Sequence, residues 1–101
     1  MAAKHELVAL AIFTPHEGQE AEVLRVLADL YTVLRSKGYS RDLLFRDRKH
    51  GHRLLNLRYW ASEEARRSAH EDPDVHRFWA TLGNLCTMEV VYEVLDPLAT
   101  E

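Results

Sequence analysis

The sequence predicts an α+β fold in the order strand, helix, strand, strand, helix, strand, with the four strands in one antiparallel sheet and the helices on one of its faces. Three observations carry that prediction. Four short segments are rich in branched residues with period-two alternation, two longer ones carry apolar residues at three- and four-residue steps, and Pro, Gly, Ser or Asp stands at the junctions. A chain of 101 residues has room for one core. Residues 1–101 are therefore expected to form a single domain with an ordered core from about 6 to 95.

The first strand runs from Glu6 to Thr14. Alternation puts Leu7, Ala9, Ala11 and Phe13 on one face and Val8, Leu10 and Ile12 on the other, so both faces need cover. Thr14-Pro15-His16-Glu17 has the spacing of a capping box with proline at the first helical position, although Gly18 points to a slightly later start of regular helix. Val23, Leu24, Leu27, Leu30, Tyr31 and Leu34 then recur at helical steps until Ser36-Lys37-Gly38, where glycine can take the left-handed conformation.

Arg41 to Asp47 and Arg53 to Trp60 read as a hairpin around Lys49-His50-Gly51-His52. In its second strand Leu55, Leu57 and Tyr59 share one face, and Leu54, Asn56, Arg58 and Trp60 share the other. Ser62 before Glu63 and Glu64 marks the next helix start, and Asp72-Pro73 interrupts that helix and starts another. Val75, Phe78, Trp79, Leu82 and Leu85 form its apolar stripe, ending near Gly83-Asn84. In the last strand, Met88 to Leu95, Met88, Val90, Tyr92 and Val94 alternate with Glu89, Val91, Glu93 and Leu95. This order is that of a ferredoxin-like βαββαβ domain. Its helices cover only one sheet face, so the other is expected to meet a second copy with two-fold symmetry, giving a homodimer through sheet faces.

Composition narrows the partners. Thirteen Lys and Arg against sixteen Asp and Glu give a net charge of −3, which offers no general attraction to nucleic acid or to a membrane. The longest apolar run, Leu7 to Phe13, is too short to span a bilayer. With one cysteine and no secretory pattern at Met1 to Glu6, a cytoplasmic location is expected. Phosphate-cradling glycine loops, paired-cysteine zinc motifs and nucleophile elbows do not occur. The spacings of the six histidines name no three-ligand site, so no metal is expected.

The stretch Leu57-Arg58-Tyr59-Trp60-Ala61-Ser62-Glu63-Glu64-Ala65, followed by Ala69-His70-Glu71-Asp72-Pro73-Asp74-Val75-His76-Arg77-Phe78, resembles the antibiotic-biosynthesis monooxygenase (ABM) family of small dimeric α/β-barrel proteins. The resemblance implies a dimeric α/β barrel and, in some members, oxygenation of phenolic or quinol-type compounds without cofactor. Asn56 and Trp60 match the Asn-x-x-x-Trp spacing of the oxygenating members, whose asparagine helps to hold substrate. Four residues apart on a strand, an amide and an indole lie on one face, where the first can orient an oxygen and the second can stack on a ring. The tyrosine those members carry six residues after the tryptophan is Arg66 here. The haem-opening branch is matched less well: Ala11 and Ile12 stand where it carries an asparagine, and Trp79 or Ala80 near its iron ligand, which leaves His70 or His76 as the residues for haem binding.

The expected activity is that of a cofactor-independent monooxygenase acting on a small aromatic or quinol-type molecule with dioxygen. Asn56 and His70 are the candidate catalytic residues, Asn56 orienting an oxyanion and His70 acting as base. Trp60, Arg58, Tyr31 and Phe78 are the candidate substrate contacts. Each has a plainer alternative. Asn56 and Arg58 can form a polar pair at a subunit interface, Trp60, Phe78 and Tyr31 can fill the core, and His70 can cap a helix. Two further expectations stand beside the enzyme: a noncatalytic small-molecule-binding dimer of the same fold, which Arg66 supports, and pure structural filling of an oligomer, in which Trp60, Trp79, Phe78 and Tyr31 pack the cavity shut.

Overall fold

The computed structural model describes residues 6–100. The elements follow in the order β1 (Leu7–Pro15), α1 (Glu20–Ser36), β2 (Ser40–Arg46), β3 (Leu54–Trp60), α2 (Glu63–His70), α3 (Pro73–Leu85) and β4 (Cys86–Leu95). The strands form one antiparallel sheet in the order β2-β3-β1-β4. This is the expected βαββαβ α+β topology, with its second helical segment divided into α2 and α3.

Cap chemistry explains most of the boundaries. Ser62 accepts a hydrogen bond from the Ala65 amide at 3.0 Å and starts α2. Asp72 accepts from the Asp74 amide at 2.9 Å and starts α3, with Pro73 in the first turn. At the end of α1, Gly38 has φ +77°, the Gly38 amide donates to the Arg35 carbonyl at 3.0 Å and the Tyr39 amide to the Leu34 carbonyl at 2.9 Å, the paired bonds of a Schellman motif. The capping box expected at Thr14 to Glu17 does not form. Thr14 and Pro15 extend β1, Gln19 occupies the N-cap without a side-chain bond, and Gly18 at φ +80° makes the intervening turn. The Pro15 to Cys86 pairing with β4 keeps this segment in the sheet.

Register decides which side chains face the helices. Leu7, Ala9, Ala11 and Phe13 lie opposite Trp60, Arg58, Asn56 and Leu54, and the last two pair in turn with Leu44 and Arg46. That face meets a core of Val23, Val26, Leu27, Leu30, Leu34, Ala69, Val75 and Leu82. On the opposite face Leu10, Leu57 and Leu43 form one row, with Ile12, Leu55 and Phe45 in the next. Leu43 and Phe45 remain 46% and 51% exposed. In β4 the simple alternation fails: two register shifts bring Tyr92 opposite Leu10 and Leu95 opposite Val8. Residues 96–100 carry no helix or strand, and the reading of residues 1–5 as free of a secretory pattern lies outside the described residues. No helix of the described residues is long and apolar enough to cross a membrane.

Candidate functional site

On the helix-facing side of the sheet, β2 and β3 place four polar side chains among apolar ones. The hairpin register sets Asp42 opposite Arg58 and Leu44 opposite Asn56. Asn56 Nδ2 donates to Asp42 Oδ2 at 3.2 Å and to the Leu43 carbonyl at 3.4 Å. Arg58 Nε donates to the same Asp42 oxygen, and Arg58 Nη2 donates to Asn56 Oδ1 at 3.2 Å. Ser40 donates to Asp42 Oδ1 at 2.9 Å. The Asp42 and Arg58 side chains are 0% and 11% exposed, so this ion pair is held away from water and its charges are matched within the site.

The Arg58 guanidinium lies 5.2 Å from the Trp60 ring centre, which extends the polar group into an aromatic one. Trp60 is buried, and the His70 ring centre stands 5.7 Å from its own. Trp79 lies 5.1 Å on from His70, and His76 lies 5.4 Å from Trp79. His70 is an exposed residue at the end of α2, with Nδ1 2.7 Å from the Arg66 carbonyl oxygen. A carbonyl only accepts, so Nδ1 is the protonated nitrogen in the neutral ring and Nε2 carries the lone pair.

Tyr31 comes from α1 and is partly buried against the core. Its hydroxyl is buried without a hydrogen-bond partner. Loss of solvent, reinforced by the Asp42 carboxylate and opposed by Arg58, holds its pKa well above the ordinary phenol range and makes it a weaker acid. Phe78 is a partly buried member of the core cluster on α3.

The sequence-predicted residues thus fall into three settings. Asn56, Arg58 and Trp60 share one strand face, as their spacing requires, and Asn56 and Arg58 are hydrogen-bonded to each other on the side of the sheet that the helices cover, not on its open face. His70 stands against Trp60 from outside. Tyr31 and Phe78 approach from the two helices. Sequence reasoning missed Asp42 and Ser40. The available signal was an acid within the apolar run Asp42-Leu43-Leu44-Phe45, which a hairpin centred on the His50 turn brings opposite Arg58. Among the described residues no cluster of three or more His, Cys, Asp or Glu is placed to hold a metal ion. A separate open depression of about 330 Å³ lies at the β1–α1 turn, lined by Pro15, His16, Glu17 and His52 among others. None of the candidate residues lines it.

A single antiparallel sheet backed by helices, with an amide, a guanidinium and an indole in line on the covered face, defines a small α+β domain of the βαββαβ type. The chain belongs to the antibiotic biosynthesis monooxygenase family, which matches residues 7–81. Among solved structures, SnoaB from Streptomyces nogalater, a cofactor-independent oxygenase, is 25% identical over 96% of this chain and 99% of its own, with a TM-score of 0.77. An asparagine-to-alanine variant of SnoaB gives 25% identity and a TM-score of 0.78, covering 95% of this chain and 98% of that one. Rv0793 from Mycobacterium tuberculosis shares the fold at 22% identity, over 93% of this chain and 96% of its own, with a TM-score of 0.79. PA3566 from Pseudomonas aeruginosa does so at 20% identity, over 96% and 98%, with a TM-score of 0.78. No curated protein sequence matches the chain.

Proposed function

We propose that this protein is a cofactor-independent monooxygenase acting on a small aromatic or quinol-type substrate, as a homodimer joined through the open sheet faces. The observation that carries the proposal is the buried Asp42–Arg58–Asn56 group ending on Trp60. Membership of the family and the likeness to SnoaB supply its chemical frame. That one SnoaB structure is of an asparagine-to-alanine variant directs attention to Asn56 in particular.

In this proposal the substrate supplies the electrons. A methylene carbon beside an electron-rich ring loses a proton to His70 Nε2, and the carbanion so formed passes an electron to dioxygen. Recombination forms a carbon–oxygen bond, and loss of water leaves a carbonyl, so one oxygen atom ends in product and the other in water. The protein contributes binding, proton removal and exclusion of water. The Asn56–Arg58–Asp42 group steadies negative charge on the substrate oxygen, Trp60 and Phe78 flank the ring, and Tyr31 closes the site from α1.

Oxygen uptake with a panel of phenols, anthrones and quinols tests the activity. Consumption of one dioxygen per carbonyl formed is expected. Binding of the same compounds without uptake would instead favour a noncatalytic small-molecule-binding dimer. That second reading is favoured by the self-contained Asn56 amide, which is engaged at both ends within the chain.

A further inference from the structure

Tyr39 stands between α1 and β2, and its two ends reach two different parts of the candidate site. Its backbone is fixed on both sides. The Schellman motif at Gly38 ties the Tyr39 amide to the Leu34 carbonyl at 2.9 Å, and the Tyr39 carbonyl accepts from the Ala61 amide at 2.8 Å. Ala61 follows Trp60 directly, and Trp60 pairs with Ser40 in the sheet, so Tyr39 is held on the strand end that carries the indole. At its other end the Tyr39 hydroxyl donates to Asp72 Oδ2 at 2.7 Å. Lys37 Nζ donates to the same oxygen at 2.8 Å and to Asp74 at 2.8 Å. Asp72 is the joint of the α2–α3 break. Its amide donates to the Ala69 carbonyl at 3.2 Å, at the end of α2, and its carboxylate accepts from the Asp74 amide at 2.9 Å, at the start of α3. His70 lies two residues away, its ring between Trp60 and Trp79, and the His76 ring donates to its carbonyl. The contact of His70 Nδ1 with the Arg66 carbonyl is internal to α2, so it fixes the ring to the helix and leaves the distance from helix to sheet to be set elsewhere.

We infer that Tyr39 and Lys37 are positioning residues for His70: by bridging the end of β3 to Asp72 they set the imidazole against Trp60. The inference rests on the reading of His70 as the base and deepens it by naming what aims a base that stands at an exposed helix end. Both donors meet a charged carboxylate, so each bond is stronger than one between neutral groups. The Asp72 side chain is 12% exposed, which shields those bonds from water.

The test reads the His70 ring by proton NMR of the full chain at neutral pH, its resonances being identified by their loss in His70→Gln. In wild type they are expected away from the ordinary histidine position, because the ring currents of two indoles act on them. Tyr39→Phe keeps the aromatic ring and the backbone bond to Ala61 and loses the hydroxyl alone; it is expected to return the resonances most of the way. Lys37→Met is expected to move them in the same direction, and Lys37→Arg, which keeps the charge, to move them less. His50 and His52, at the opposite end of the β2–β3 hairpin from Tyr39, should not shift in any of these variants. Wild-type His70 resonances at the ordinary position, or resonances unmoved in both Tyr39→Phe and Lys37→Met, overturn the inference and leave the proposed activity untouched. A shift of His50 and His52 along with His70 assigns the bridge to the fold as a whole, which also overturns it. Should Tyr39→Phe not fold, Lys37→Met decides by the same criterion. In oxygen uptake, Tyr39→Phe is expected to lower kcat about tenfold with KM unchanged. Unchanged kcat beside a moved resonance overturns the inference, since the bridge then aims nothing that the reaction uses. A wild-type chain without uptake whose His70 resonances still move in the variants overturns the activity and leaves the positioning in place.

Discussion

Arg58 and Asn56 donate to the same carboxylate oxygen, Asp42 Oδ2, and Arg58 also donates to the Asn56 amide oxygen at 3.2 Å. Three side chains from two strands therefore hold one another in a setting where Asp42 has no exposure. Taking away the carboxylate strands a guanidinium inside the domain. Asp42→Ala is expected to lose about 3–5 kcal/mol of stability in urea unfolding. Replacing both partners, as Asp42→Leu with Arg58→Leu, should come back close to wild type, because an apolar pair has no desolvation cost to offset. A single variant as mild as the double would show that water reaches the pair.

A second ionic group controls acid stability. Lys37 Nζ lies 2.8 Å from both Asp72 and Asp74, and the Tyr39 hydroxyl donates to Asp72 at 2.7 Å, tying the end of α1 to the α2–α3 break. The Lys37 ammonium, followed by the Tyr39 hydroxyl, lowers the Asp72 carboxyl from 3.8 to about 2. A carboxylate more acidic in the folded state stabilises the fold above its ordinary value, and that contribution is lost as pH falls through the folded one. Asp72→Asn keeps an N-cap acceptor but discards the charge. The stability gap between wild type and this variant should be full at pH 5 and above, shrink below pH 4 and close near pH 2, as measured by denaturant midpoints across that range. A gap that does not change with pH would assign the difference to capping alone.

How much of this was legible in the residues follows from the kind of interaction involved. The order of elements was open to view because alternation, helical spacing and the caps at Ser62, Asp72 and Gly38 are local features. Thr14-Pro15 was misleading for the converse reason. Its local pattern is a helix cap, but pairing with Thr87 and Cys86 across the sheet outweighs it. Asn56, Arg58 and Trp60 could be set on one face from strand period alone. Asp42 could not, since its role appears only when the hairpin register is known. The stacking of His70 between Trp60 and Trp79 depends on the angle between α2 and α3 at Pro73, which no sequence periodicity encodes.

His70 offers a test that separates chemistry from folding. The residue is exposed, and its Nδ1 contact with the Arg66 carbonyl leaves Nε2 as the basic nitrogen. Under the proposed activity, His70→Gln should lower the rate of oxygen uptake roughly 100-fold or more. Its unfolding free energy should stay within about 0.5 kcal/mol of wild type. Uptake that is unchanged in a folded variant removes His70 from the mechanism and leaves the strand residues to be examined alone.

The open sheet face gives the prediction that reaches furthest. Leu10, Leu57 and Leu43 stand in register across β1, β3 and β2, with Ile12, Leu55 and Phe45 beside them, and no helix covers them. Burying each leucine or phenylalanine side chain is worth about 1.5–3 kcal/mol, so two copies meeting through such faces gain far more than one isolated contact. Leu57 is at the centre of the row. In a two-fold arrangement one substitution is placed in the interface twice, so Leu57→Arg brings two positive charges into an apolar contact that has no partner for them. Sedimentation equilibrium is expected to give twice the mass of one chain for wild type and the mass of one chain for Leu57→Arg. Arg58 and Trp60 point to the other side of the same strand, and Leu57 lies between Asn56 and Arg58. The monomeric variant therefore also reports whether the candidate site is complete within one chain. Retained ligand binding in the monomer would place the whole site in one chain, and loss of binding would make the second copy part of it. A wild-type chain that sediments as a monomer would mean that this face is covered by something other than its own copy.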